Sequence, residues 1–252
     1  MRHHIRRFAW MLPLFLTMTP GAAQEHSIPT ETQNTGWYAG IDAGATFGFG
    51  SFTGFGHDKT RTGGIAGLYA GYRFSPVLSA EIAAKSGQTT LAAHGCCVDA
   101  GYWLGSDGIR YLAPVAGMDG WDYAALKSNV ALQQYGARLN VNLLGFFNDT
   151  RSGRWTLNIS PAAYAVGTKA AIRTITGGNK VMSPDREWHF GYGGRLQAGY
   201  MATRNLSIAV YSEVTALNGK QMDGITEVRH NDNFIWENGI RIGWSFGRQG
   251  KK

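Results

Sequence analysis

The sequence predicts an all-β protein, an eight-stranded antiparallel up-and-down transmembrane β-barrel. Three observations predict this fold. Apolar and polar residues alternate in eight segments, the connections between the segments are long and short in turn, and aromatic residues stand at both ends of the apolar faces. Because successive side chains of a strand point to opposite faces, each segment has one face suited to lipid and one suited to a polar lumen.

The composition agrees with strands that face two different environments. Charged residues make up 16% of the chain, aromatic residues make up 12%, and there are 35 glycines. After residue 23 no apolar stretch approaches the roughly 20 residues that a membrane-spanning helix needs. The sequence therefore excludes a helical membrane protein.

Residues 1–23 have the three parts of a secretory signal peptide. Arginines near the start precede an apolar run from Phe8 to Met18, and Gly21-Ala22-Ala23 provides the cleavage site. The apolar run is about half as long as a spanning helix, so an uncleaved anchor is the weaker alternative. We expect residues 24–35 to form a flexible periplasmic lead and residues 249–252 a short tail.

The charge of the exported chain argues against nucleic acid as a partner. Residues 1–24 contain three arginines and no acidic residue, so their removal lowers the formal charge from +7 to +4. The remaining basic residues are scattered, and an exported protein meets no chromosome.

The barrel itself is expected over residues 36–248. The predicted strands cover residues 36–51, 63–74, 78–90, 129–147, 155–174, 188–203, 206–217 and 233–248. Short turns follow every second strand, and the other connections are long loops, of which the external loop 91–128 is the longest. In transmembrane barrels the short turns face the periplasm, so an even strand count returns both ends there. Pro161 predicts a bulge or kink in the fifth strand, because proline cannot donate to a strand ladder.

The aromatic residues at the strand ends fit the two membrane interfaces, where ring side chains are enriched. Those predicted near the turn side are Trp37, Phe74, Trp155, Tyr200, Trp244 and Phe246. Those predicted near the loop side are Phe47, Phe49, Trp188, Phe190, Phe234 and Trp236.

The inward faces collect charges of nearly balanced sign. The acidic residues are Asp42, Glu81, Glu213 and Glu237, and the basic residues are Arg73, Lys85, Arg138, Arg195 and Arg241. An eight-stranded barrel is just wide enough for side chains to fill its interior, so these charges are expected to pair and plug the lumen. The alternative is a narrow porin-like channel for small solutes.

The sequence offers weak candidates for chemistry, and we expect no cofactor. Cys96 and Cys97 are the only cysteines, and three states are open to them: a vicinal disulfide, free thiols or intermolecular pairing. They lack the paired spacing of a zinc site. His189 with Ser207 or Ser212 is the candidate pair for a lipid-modifying enzyme, although their heights in the barrel do not obviously match.

The long loop carries acidic and aromatic residues whose roles differ. Asp99, Asp107, Asp119 and Asp122 make calcium binding conceivable, but the regular spacing of a known calcium loop is missing. The aromatic residues between 101 and 123 favour packing over the barrel mouth, with contact to a protein partner as the alternative.

Four stretches carry a resemblance to a known family: Gly36-Trp37-Tyr38-Ala39-Gly40, residues 67–74, residues 135–140 and the aromatic-ended last strand. In these the chain resembles the OmpA-like and opacity-type outer-membrane β-barrel (porin-like) family, in its Bacteroidetes style. The resemblance implies location in the outer membrane, with insertion by the outer-membrane assembly machinery and periplasmic chaperones. Family members often add a C-terminal peptidoglycan-binding domain, and we expect none here.

Function follows from these expectations. We expect a non-enzymatic barrel with a structural, envelope-integrity or surface-interaction role, surrounded by outer-membrane lipid and lipopolysaccharide. Loop 91–128 is the candidate surface for a protein partner. Fold-level likeness does not name a ligand.

Overall fold

Eight strands form one closed antiparallel barrel. The computed structural model describes residues 35–54, 60–92, 101–147, 153–219, 221–225 and 233–246. The barrel strands are β1 (Gly36–Phe49), β2 (Gly63–Arg73), β3 (Leu78–Ala92), β7 (Leu126–Asn142), β8 (Trp155–Thr174), β10 (Glu187–Met201), β11 (Leu206–Asn218) and β12 (Asn233–Ser245). Each strand pairs with its neighbours in sequence, and β12 pairs with β1 to close the ring.

The strands are tilted, because their register shifts as the pairing is followed around the ring. Starting from β1, the successive partners are Ala39, Ala70, Ile82, Ala137, Ala163, Tyr192, Ala216, Phe234 and Phe49. The path therefore returns to β1 ten residues further along the strand. With about 3.3 Å per residue and about 4.8 Å between strands, this shift corresponds to a tilt of roughly 40°.

The outer surface is an apolar band bounded by aromatic residues. Ile41, Leu68, Ile82 and Ile240 are at least half exposed on this surface. On β1 the band runs from Trp37, whose ring lies 5.2 Å from Tyr72, to Phe47, whose ring lies 5.4 Å from Trp236. Ten residues extend about 33 Å along a strand, or about 25 Å along the barrel axis at a tilt of roughly 40°, which matches the apolar band of a transmembrane barrel.

The strand bounds differ from the prediction at both ends of the barrel. At the turn end β7 stops at Asn142 and β12 at Ser245, whereas the prediction extended them to residues 147 and 248. Strand β3 ends at Ala92 and β7 begins at Leu126, so the long loop is shorter than predicted at both ends.

Pro161 lies on the outer surface, and the pairs on either side of it keep one register with β7 and with β10. The predicted bulge is therefore wrong, because no pair is shifted. The pairing with β7 is nevertheless interrupted at Ser160 and Pro161, and the alternative, a kink, stays a prediction.

The long loop contains structure that alternation did not predict. Strands β4 (Trp103–Gly105), β5 (Arg110–Tyr111) and β6 (Gly120–Asp122) form a small three-stranded sheet, and β9 (Lys180–Met182) pairs with the end of β8. The remaining elements are two short 3-10 helices, Tyr123–Ala125 and Leu143–Phe146. In the described part of the chain no helix has both the length and the apolar character that crossing a membrane requires.

The loops pack an apolar core into the loop end of the barrel, which we call the cap. Its loop residues are Phe52, Leu104, Tyr123, Met222 and Ile225, and the inward-facing barrel residues beneath them include Leu91, Val130, Val166, Ile172, Leu217 and Ile235. The rings of Phe52 and Tyr123 are 4.7 Å apart. The long loop therefore packs over the barrel mouth, as its aromatic content favoured.

Hydrogen bonds join three loops within the cap. The backbone N–H of Phe52 donates to Asp223 Oδ2 at 2.8 Å, and the Tyr123 hydroxyl donates to the carbonyl of Ser51 at 3.1 Å. The Ser128 hydroxyl donates to the carbonyl of Asp223 at 2.7 Å, which fixes the same loop to the barrel wall. Burying these polar groups costs little because they are paired.

Candidate functional site

The middle of the lumen is filled by a charge network centred on two carboxylates. Arg195 lies 3.1 Å from Asp42 and 2.6 Å from Glu213, and Arg138 lies 3.4 Å from each of them. These side chains come from four strands, β1, β7, β10 and β11. Alternation turns them inward, and the tilt and register of the strands bring them to one level of the lumen. The network therefore connects opposite sides of the barrel.

The network continues toward both ends of the lumen. On the loop side Lys85 Nζ lies 2.9 Å from Glu213 and 2.7 Å from Glu237. On the turn side Glu81 is paired with both Arg138 and Arg241. Four acidic and four basic side chains are thus joined, each no more than 6% exposed, with equal numbers of either sign.

Tyrosines and one amide complete the network. Gln134 donates to Glu237 at 2.8 Å, and the Tyr164 hydroxyl donates to Glu213. The guanidinium of Arg195 stacks on Tyr211 at 3.8 Å from the ring centre, and that of Arg241 on Tyr69 at 3.3 Å. Sequence reasoning missed these residues because it selected only charges, although alternation already placed Tyr69 and Gln134 on inward faces.

Each of these tyrosines lies against a glycine of a neighbouring strand. Tyr69 is paired with Gly40, and Tyr164 with Gly136. A Cβ added to Gly136 would lie 2.3 Å from Cδ1 of Tyr164, and one added to Gly40 would lie 2.3 Å from the Tyr69 hydroxyl oxygen. Glycine at these positions lets a large ring lie along the wall of a narrow lumen.

Arg73 is the one predicted network residue that the structure leaves outside the network. It lies near the turn end of β2, and in the part of the chain that the structure describes no carboxylate comes within ion-pair distance of it. Its guanidinium carbon instead lies 5.6 Å from the centre of the Tyr38 ring. The prediction that Arg73 pairs across the lumen is therefore wrong among the described residues, because Arg73 stands too close to the turns.

Below the network the lumen opens into a polar cavity, which we call the vestibule. Its volume is about 60 Å³, and it extends from Glu81, Arg241 and Tyr69 down to the short turns. The wall between these levels includes Arg73, Ser79, Asn158 and Gln197. A volume of this size holds about four to six water molecules, at roughly 10–15 Å³ of such volume for each.

The candidates for hydrolytic chemistry do not come together. His189 is buried at the loop end, where its Nε2 lies 2.9 Å from the Thr168 hydroxyl. Ser207 lies at the turn end and donates to the carbonyl of Gly243. Ser212 lies on the outer face, where its hydroxyl accepts from Trp236 at 2.9 Å. Neither serine is within reach of the histidine as a nucleophile.

The candidates for metal binding are also separated or occupied. Asp107 accepts from the Tyr111 hydroxyl at 2.6 Å and from the backbone of Ile109 at 3.0 Å, while Asp122 accepts from the backbone of Ala124. The hydrogen bond from Tyr111 lowers the pKa of Asp107, and the same bond raises the pKa of Tyr111. No group of three metal-ligating side chains occurs among the described residues.

Several sequence-based expectations lie outside the described residues. Among them are the signal peptide, most of the periplasmic lead, the tail, and Asp99 with the cysteine pair Cys96 and Cys97. The state of the two cysteines and the cleavage site stay predictions.

The fold and the site define a class of protein: closed up-and-down barrels of eight strands, with an apolar outer surface and a charge-filled lumen. Solved structures similar to this chain are outer-membrane or surface proteins. Neisserial surface protein A is 11% identical with a TM-score of 0.46, and the alignment covers 83% of this chain and 97% of that one. The outer membrane protein OprG from Pseudomonas aeruginosa is 13% identical with a TM-score of 0.40, covering 86% and 100%.

A major outer membrane protein from Thermus thermophilus is 11% identical with a TM-score of 0.44, covering 81% of this chain and 99% of that one. At these identities and TM-scores the similarity extends no further than the barrel architecture. No family model matches the chain, and no curated protein matches its sequence. The comparisons give no sequence-family support for a Bacteroidetes style of barrel, which stays a prediction.

Proposed function

We propose that this chain is a non-enzymatic outer-membrane β-barrel protein whose lumen is plugged. The outer surface supports the membrane location, because its apolar band is about 25 Å high and carries aromatic residues at both borders. Trp37, Trp155 and Trp188 are each more than half exposed on that surface. In water, so large an exposed apolar surface would drive association.

The proposal of a plugged lumen rests on one observation: two successive layers, the charge network and the cap, fill the lumen. The charge network fills the middle, and the cap fills the loop end with side chains such as Leu104, Tyr123 and Met222, none of which is exposed. An ion would have to pass a set of paired buried charges and then an apolar core. Both steps are costly, because removing a charge from water without a partner is unfavourable.

Conductance in a planar bilayer tests this proposal. The reconstituted protein should give no stable conductance, and a variant in which residues 101–124 are replaced by a short glycine-serine linker should also stay closed, because the charge network remains. A third variant, with the same linker and Asp42→Gly and Arg195→Gly, should conduct. Stable channels from the unmodified protein would instead support the alternative, a narrow porin-like channel for small solutes. Heat-dependent mobility on a denaturing gel checks that each variant is folded.

Outer-membrane lipid, with lipopolysaccharide in the outer leaflet, is the proposed surrounding partner. Basic residues project outward just beyond the aromatic border at the loop end, where Tyr135 and Trp188 lie 6.1 Å apart. Lys127 pairs across the strands with Arg173, and Lys169 is exposed nearby on the same strand as Arg173. Clusters of Lys and Arg at a membrane interface attract anionic headgroups.

A triple variant tests the lipid contact. Replacing Lys127, Lys169 and Arg173 with glutamine should weaken retention of purified lipopolysaccharide by at least fivefold in native mass spectrometry or a pull-down from mixed micelles. The control is a double variant at the turn end, Arg154→Gln and Arg204→Gln. It is compared with the double variant Lys127→Gln and Arg173→Gln, which removes the same charge at the loop end. Equal retention by the two double variants would refute a specific contact at the loop end.

The exposed loop sheet supports a role in envelope structure or in surface interaction, as does the resemblance to OmpA-like and opacity-type barrels. Leu112 is 80% exposed and Ile109 is 38% exposed on this sheet, so apolar side chains are available to a protein partner. Periplasmic chaperones and the outer-membrane assembly machinery are the partners proposed for biogenesis, as the family resemblance implies. An open strand edge would leave backbone groups unpaired in lipid, so the barrel has to close as it inserts.

A further inference from the structure

We propose that the vestibule is a binding site for a small tetrahedral oxyanion such as phosphate, with Arg73 as its principal ligand. Arg73 lines the cavity at the turn end of β2. A guanidinium presents five N–H donors in a planar fork, which matches two oxygens of such an anion. The inference goes beyond the proposed scaffold role, since a plugged barrel needs no ligand.

Arg73 adds one positive charge to a lumen whose network has equal numbers of acidic and basic side chains. The four acids and four bases of the network are joined to one another, and Arg73 is not among them. Among the described residues that line the vestibule, Glu81 is the one acid, and its carboxylate is already paired with two arginines. The surplus charge of Arg73 therefore faces a cavity in which no free carboxylate, among the residues described, competes with a ligand.

The surroundings of the vestibule strengthen the attraction. Arg154 and Arg204 lie next to the short turns at the same end of the barrel. Positive charges around the mouth of a cavity raise the local concentration of anions there. An anion that reaches this end is thus drawn inward, whereas the network and the cap prevent it from passing through.

Neutral donors are placed to complete the coordination. Gln197 lines the cavity and accepts from Arg241 through its amide oxygen at 3.3 Å, so its amide nitrogen is the group left to donate to a ligand. Asn158 and Ser79 contribute an amide and a hydroxyl to the same wall. The Tyr38 ring beneath the guanidinium carbon limits the movement of Arg73, which reduces the entropy lost when an anion binds.

A free anion fits this site better than the phosphate of a lipid headgroup. The vestibule lies inside the barrel wall, and its volume is about 60 Å³. A lipid headgroup would have to leave its leaflet and pull acyl chains to the mouth of the lumen. A free phosphate or sulfate enters from the solvent without that cost.

Calorimetric titration of the full chain with inorganic phosphate tests the site. The protein is folded in a maltoside detergent, which contains no phosphate, and ionic strength is held constant with chloride. We expect one saturable site, at least tenfold weaker in Arg73→Gln and of intermediate strength in Arg73→Lys. If Arg73→Gln fails to fold, Asn158→Asp takes its place in the test. It adds a negative charge to the wall of the vestibule and should also weaken phosphate binding at least tenfold.

Lys169→Gln is the matched control, because it removes the same charge from the exposed surface at the other end of the barrel and should bind phosphate as the unmodified protein does. Absence of saturable binding, or unchanged affinity in a folded Arg73→Gln or Asn158→Asp variant, would overturn the proposal. Displacement of phosphate by a soluble short-chain phosphatidylglycerol at comparable concentration would assign the site to a headgroup and overturn the free-anion proposal.

Discussion

Arg195 shows how much of the lumen depends on one side chain. It is 1% exposed, contacts Asp42 and Glu213, and stacks on the ring of Tyr211. A buried guanidinium loses its hydration, and several charge-assisted hydrogen bonds are needed to offset that loss. Asp42 and Glu213 also pair with other basic residues, so removal of Arg195 disturbs the whole network.

Replacing Arg195 with glutamine should therefore destabilise the barrel by about 3–5 kcal/mol, the range for a buried ion pair that loses one partner. The free energy of unfolding is measured by urea titration in lipid vesicles, followed by tryptophan fluorescence. Lys169→Gln removes a charge from an exposed position and should change it by less than about 0.5 kcal/mol. A loss below about 1 kcal/mol for Arg195→Gln would show that the network does not stabilise the fold.

The sequence placed these charges on the inward face, because alternation along a strand determines which face a residue occupies. It did not determine their heights, which depend on strand tilt and register. Arg73 and Arg138 both face inward, yet only Arg138 lies at the level of Asp42 and Glu81. The vestibule could not be predicted for the same reason, since a cavity depends on three-dimensional packing.

At the scale of elements, the paired glycines and tyrosines explain how strands rich in small residues form a filled lumen. Four inward tyrosines lie opposite glycines on adjacent strands: Tyr38 with Gly71, Tyr69 with Gly40, Tyr164 with Gly136 and Tyr211 with Gly239. Each glycine gives up side-chain packing of its own, and the neighbouring ring covers the exposed backbone.

Alanine at Gly136 should destabilise the barrel by about 1–3 kcal/mol, because the added Cβ would lie 2.1 Å from the carbonyl oxygen of Ala163 and would displace Tyr164. Gly194→Ala is the control, since its Cβ would meet nothing closer than 3.9 Å and the free energy of unfolding should stay within about 0.5 kcal/mol. Both are measured by urea titration, and equal effects would contradict a packing role for Gly136.

Most barrel strands could be predicted because their alternation continues over ten or more residues. Strand β8 begins and ends where the sequence predicted, at residues 155 and 174. Strands β4, β5 and β6 have two or three residues each, which is too short for any periodicity to be visible. They exist because the loop packs onto the mouth of the barrel and forms part of the cap, and those contacts join residues far apart in the sequence.

At the scale of the whole molecule, the two ends of the barrel differ in chemistry. The loop end carries the cap and the small loop sheet, whereas the turn end carries the polar vestibule. If the short turns face the periplasm, the loop sheet is outside the cell and the vestibule is open to the periplasm.

Labelling of single cysteines in intact cells checks this orientation. In a background with Cys96→Ala and Cys97→Ala, Leu112→Cys on the loop sheet should react with a maleimide that cannot cross the outer membrane. Thr203→Cys in a short turn should react only after the cells are lysed. Labelling of Thr203→Cys in intact cells, without reaction at Leu112→Cys, would reverse the proposed topology.

The closure of the ring by β12 and β1 has a consequence for how the barrel comes apart. Every barrel strand is hydrogen-bonded along both sides, and the partner of β12 is β1. No barrel strand can be released without breaking two ladders at once, so local opening of the wall is almost as costly as complete unfolding. We therefore expect a single cooperative transition for the barrel, with proteases restricted to the loops until that transition occurs.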